Sequence, residues 1–164
     1  MQTPKQLGIT PKQFKNIAKL TLFVKDKVAP PKFNIKYFFT RKGERYGDYG
    51  DEYCRNESDY GCGTSACFLG YGPLSGLPPK KNELWEDYGA RLFGVEKVSP
   101  WSDMGGDVYD LLFSCSHVNS KSAAVKRGAW LLTNGFPENV DLTIWETPRG
   151  FKPDWAAIEK IANQ

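Results

Sequence analysis

The sequence predicts a mainly α protein, one compact domain of about six helices with room for one small antiparallel β-ribbon. Three observations lead there. Apolar residues recur at helical spacing in several windows, and these windows are bounded by capping residues, prolines and glycines. The chain has 164 residues, enough to bury one core. Its 40% hydrophobic and 25% charged residues belong to a folded chain rather than a disordered one.

Residues 1–9 read as a flexible lead, and residues 10–164 as the globular domain. Thr10-Pro11-Lys12-Gln13 is a helix start: Thr10 as N-cap, Pro11 in the first turn, Gln13 closing a capping box. Phe14, Ile17, Ala18, Thr21 and Val24 then form the apolar side of a first helix ending near Lys27, before Ala29-Pro30-Pro31. Residues 33–39 alternate as a short strand would. Residues 40–61 are rich in Gly, Asp, Glu and Tyr without an apolar period, and read as a long loop. A second, short helix is expected over residues 66–69, capped by Thr64 or Ser65 and stopped by Gly72-Pro73. Asn82 is expected to cap a third helix that buries Leu84, Trp85, Tyr88, Leu92 and Val95 and ends near Gly94. A fourth uses Val108, Leu111, Leu112 and Cys115. Ser120 caps a fifth over residues 121–133, with Ala124, Val125, Gly128, Leu131 and Leu132 inward and Asn134-Gly135 as its stop. Residues 140–145 alternate as a second strand, the expected partner of 33–39. Lys152-Pro153-Asp154 opens a last helix carrying Trp155, Ile158 and Ile161.

Charge is unevenly spread. The net value is +3, but residues 1–42 hold ten Lys/Arg and one acid, while the remainder holds twelve Lys/Arg and eighteen acids. A basic first helix could meet nucleic acid, or it could simply be a solvated face that complements the acidic remainder. The second reading is favoured, and the acids of residues 40–61 further weaken an open nucleic-acid groove, which should be strongly basic. Aromatic residues make up 14%, so some rings have to be partly exposed or line a pocket. No apolar run approaches the roughly 20 residues of a membrane span. Met1–Gln6 lacks an apolar core with a small-residue cleavage site. A cytoplasmic protein with free thiols is therefore expected.

The densest chemistry lies in residues 60–70, Tyr-Gly-Cys-Gly-Thr-Ser-Ala-Cys-Phe-Leu-Gly. Three readings compete with plain packing. Cys54, Cys62, Cys67, Cys115 and His117 could supply a tetrahedral zinc, but a Cys-x4-Cys spacing without a paired knuckle is loose. Cys62 or Cys67 at a helix N-terminus could be an activated thiol, with His117, the only histidine, as its base. That would make a cysteine-dependent hydrolase or transferase. Gly63, Thr64 and Ser65 could seat a phosphate or carboxylate on backbone N–H groups and hydroxyls. Arg45 or Arg127 would neutralise that anion, and Tyr46 or Trp101 would stack on a base. Lys126 and Trp130 accompany Arg127 on the fifth helix. The plainer reading makes Cys67 and Cys115 small core residues. With one histidine and no knuckle, neither catalysis, nor a metal, nor a cofactor is favoured.

The chain resembles a group of small, mostly uncharacterised proteins of phage and bacterial genomes with the signature Cys-Gly-Thr-x-x-Cys-x-x-Gly. Here it is met by Cys62, Gly63, Thr64, Cys67 and Gly70. Phe33-Asn34-Ile35, Leu112-Phe113-Ser114 and the Ala-rich basic stretch 123–132 are similar in order and spacing, whereas residues 40–61 and the tail after Gly135 are this chain's own. The resemblance carries over no activity and no catalytic residues. It implies a small, mainly helical accessory protein of phage or mobile-element origin, of a size at which counter-defence roles in the host cytoplasm are common. The function expected is thus non-catalytic binding, either of a small anionic, nucleotide-like ligand or of a host protein.

Overall fold

The computed structural model describes residues 1–33, 66–94, 111–112, 120–138, 140 and 145–164. Within them the chain is mainly helical and compact, with four α-helices: α1 (Pro11–Lys27), α2 (Trp85–Phe93), α3 (Lys121–Asn134) and α4 (Trp155–Asn163). Helix α1 lies at the centre and packs on α2, α3 and α4. This is why its buried positions go beyond one stripe, taking in Phe14, Asn16, Ile17, Ala18, Leu20, Thr21 and Val24.

Local chemistry sets the start of α1 as expected. The Thr10 hydroxyl accepts from the Gln13 N–H at 3.2 Å, and the Gln13 side chain accepts from the Thr10 N–H at 2.8 Å. Two polar side chains on α1 then finish α2. Asn16 Nδ2 donates to the Leu92 carbonyl at 2.9 Å, and Gln13 Nε2 to the Ala90 carbonyl at 3.2 Å. Carbonyls in the last turn of a helix lack intrahelical partners, so the Asn16 bond serves one that burial would otherwise leave costly, and the Gln13 bond adds to the Gly94 N–H that the Ala90 carbonyl already accepts at 3.2 Å. Gly94 closes the helix in the left-handed region, φ +75°.

Helix α3 meets α1 closely at one point. A Cβ on Gly128 would collide with the side chain of Thr21, whose hydroxyl is tied to the Ile17 carbonyl at 2.8 Å. The same economy recurs at Gly72, which lies against the ring of Tyr88, and Tyr88 donates its hydroxyl to the Leu77 carbonyl at 2.6 Å.

Several expectations are corrected. Residues 66–69 are not an α-helix: Ala66 forms a parallel bridge with Phe33, and the chain then turns through two short 3-10 segments, Leu69–Tyr71 and Pro73–Ser75. Proline at 73 and glycines at 70 and 72 leave too few residues for a stable helical nucleus. Asn82 does not cap α2. It adopts a left-handed φ of +55°, and the helix starts after Leu84 without a side-chain cap. Among the described residues there is no β-strand, and the bridge made by Phe33 is parallel to Ala66. Residues 34–39 and 141–144, most of the expected ribbon, lie outside the described residues, as does the 40–61 loop. Of the expected fourth helix, Leu111 and Leu112 are described and both are buried. The N-terminal lead packs onto the body, with Leu7 buried and the Gln2 N–H donating to the Leu132 carbonyl at 2.9 Å.

Candidate functional site

The chemistry that the structure brings together lies at the start of α3. Ser120 is extended and its hydroxyl accepts from the Ala123 N–H at 3.2 Å, which fixes the first turn. Ser122 and Lys126 stand exposed beyond it, and Arg127 turns inward to 1% exposure. The opposing wall comes from residues 146–149. Trp145 and Phe151 pack on Trp130 of α3, with ring centroids at 5.2 and 5.0 Å, and so fold this segment back over the helix. A turn closed by Phe151 N–H to the Pro148 carbonyl (3.1 Å) puts Arg149 at its corner, and the left-handed Gly150 (φ +86°) is what that turn geometry requires.

Between the walls lies a cleft of about 270 Å³ lined by Ser120, Ser122, Lys126, Arg127, Glu146 and Arg149, with Ala123, Thr147 and Pro148. Three cations and one carboxylate are among its lining residues. Among the described residues no ion pair engages Lys126 or Arg149. Guanidinium groups and hydroxyls in this number suit a phosphate or carboxylate, and the first turn of a helix adds a favourable partial charge.

A second, more apolar groove of about 630 Å³ adjoins it and shares Ser120, Ser122 and Lys126. Pro30, Val125, Pro153 and Trp155 form its apolar walls, and Lys25 and Lys121 complete the lining. The Lys25 ammonium lies 5.1 Å from the centroid of the Trp155 ring and is paired with Asp26. A third groove, beside α2, holds Glu83 and Arg91. These two pair with each other, while Lys80, Lys81 and Asp87 also line the groove: Arg91 Nε and Nη2 each donate to a Glu83 oxygen at 2.6 Å, and the pairing holds the Glu83 carboxyl below its ordinary pKa.

Of the residues singled out from sequence, Arg127 lines the cleft. Cys67 is buried, with its sulfur accepting from the Gly70 N–H at 3.4 Å. Beside it Tyr71 donates to the Lys32 carbonyl at 2.6 Å, and burial pushes its phenol up to about 12. This corner is densely packed: Ala66, Phe68 and Leu69 are also buried. Gly63, Thr64, Ser65, Arg45, Tyr46 and Trp101 lie outside the described residues, as do Cys54, Cys62, Cys115 and His117. Residues 66–69, the helix that the Gly63–Ser65 seat was expected to open, are not α-helical, and Ala66 bridges to Phe33. Among the described residues no three His, Cys, Asp or Glu side chains gather as a metal site would need, and no helix is long and apolar enough to cross a membrane.

Sequence reasoning did not find Ser122, Arg149 or Trp155 as site residues. The Pro148-Arg149-Gly150 turn was a local signal for the second, but its facing partner lies more than twenty residues earlier and only the Trp130 stack brings them together. Comparison with family models, curated proteins and solved structures finds no match to this chain.

Proposed function

We propose that this protein is a non-catalytic binding module that captures a small anionic ligand in the cleft between the start of α3 and residues 146–149. The observation that carries this reading is the lining itself. The exposed Lys126 and Arg149 and the buried Arg127 line the cleft with a single carboxylate, Glu146, and two seryl hydroxyls. A phosphate placed there would take charge-assisted bonds from several directions, which a lone exposed lysine cannot supply. The role that follows is withholding or sensing a ligand, as an accessory factor of phage or mobile-element origin acting in the host cytoplasm. The signature resemblance supports that setting.

The test uses two exposed residues whose replacement should leave the core untouched. Lys126→Glu with Arg149→Glu should melt close to the wild type and bind pyrophosphate at least about a hundredfold more weakly, since each charged hydrogen bond contributes roughly 1.5–3 kcal/mol. Isothermal titration calorimetry reads the affinity. A wild type with no heat of binding, or a double variant that binds as well as the wild type, would overturn the reading.

A further inference from the structure

We propose that the Trp155 groove is the ring subsite of the same ligand site, and that the ligand is a nucleoside phosphate with its base in the groove and its phosphates in the cleft. This rests on the anion-binding reading of the cleft. Three observations carry it. The two cavities share Ser120, Ser122 and Lys126, so one ligand passing over the first turn of α3 can occupy both. Their characters are complementary: the cleft is lined by guanidinium groups and hydroxyls, and the groove by two proline rings, a valine and an indole. No carboxylate lines the groove, whereas Lys25, Lys121 and Lys126 do. An anion carrying a flat apolar ring satisfies all of this. A bare phosphate would leave the Trp155 side empty, and an alkyl chain would offer no acceptor to Lys121, Lys126 or the serine hydroxyls. The carbonyl and ring nitrogens of a nucleobase provide such acceptors at the edge of a stacking face. The groove, about 630 Å³, is of the size that small-molecule sites occupy.

The experiment titrates the full chain with pyrophosphate and with the four ribonucleoside diphosphates, for the wild type, Trp155→Leu and Trp155→Phe. In the wild type at least one nucleoside diphosphate should bind about tenfold or more tighter than pyrophosphate, the gain expected for one stacked base. Trp155→Leu should bring that nucleotide down to the pyrophosphate level without changing pyrophosphate binding. Trp155→Phe should retain most of the preference. Should Trp155→Leu fail to fold, the wild-type preference and the Trp155→Phe variant still decide. Pyrophosphate and all four nucleotides binding equally would overturn the ring subsite while leaving the anion cleft standing. A preference that survives Trp155→Leu would also overturn it. No binding of any of the five would remove the anion reading and this proposal together.

Discussion

Glu83 shows how one buried carboxylate is held. Its side chain is 6% exposed, it takes both Arg91 donors, and it also accepts the Lys80 N–H at 2.8 Å. The Arg91 bonds are the largest cause of its lowered pKa. The folded-state pKa lies below the unfolded value of about 4.3. The pair's contribution is therefore present in full above that unfolded value and is lost as pH falls through the folded one. Glu83→Gln should cost about 2 kcal/mol at pH 7, and the gap to the wild type should narrow in acid. Urea unfolding at a series of pH values measures it. A gap that stays constant down to pH 3 would show that ionisation of Glu83 is not the source.

At the scale of elements, the α1–α3 contact is the most constrained. Gly128 is there because Thr21 occupies the space a Cβ would need, and Thr21 is pinned by its bond to Ile17. Gly128→Ala should gain about 1 kcal/mol of helix propensity and lose roughly 1–3 kcal/mol to overpacking. The net effect is a lowered melting temperature. Thr21→Ala opens the same space, so the double variant should be more stable than the two single effects predict when added. Strict additivity in thermal melts would mean that the two residues do not share the contact. The start of α3 is less constrained, because its cap, Ser120, acts within its own turn. Ser122 and Lys126 in its first turns are exposed.

For the molecule as a whole, the central place of α1 makes the other three helices depend on it. Ile17, fully buried at its middle, is the position that reports this. Ile17→Ala should destabilise by about 2–5 kcal/mol, and α2, α3 and α4 should be lost in one transition with α1. Far-ultraviolet circular dichroism and tryptophan fluorescence should then give coincident urea curves. Two separated transitions would show that part of the fold stands without α1. The cleft and groove also belong to this scale. Their linings come from α1, α3, α4 and the segments that flank them, and no single element carries both the cations and the rings.

The four helices were legible in the sequence because their signals are local. Capping at Thr10, Ser120 and Asp154, apolar spacing and terminal glycines act within a few residues. The inward side of α3 was legible for the same reason, and all five of its expected core residues are buried. Local signals failed where a distant segment decides the conformation. Ala66 looked like a helix residue, but it bridges to Phe33, and its N–H bonds to the Lys32 carbonyl at 3.1 Å. Arg127 was singled out as a cation for an anion at Gly63–Ser65, but it is buried on α3 and lines a cleft with residues 146–149. The sequence by itself determined which stretches coil and which of their faces are apolar, since propensity and periodicity are properties of neighbouring residues. The tertiary structure alone decided that Lys126, Arg127 and Arg149 share a cleft beside Trp155. That meeting depends on the Trp130 ring stack and on how the helices pack around α1, contacts between residues far apart in the chain that no local pattern records.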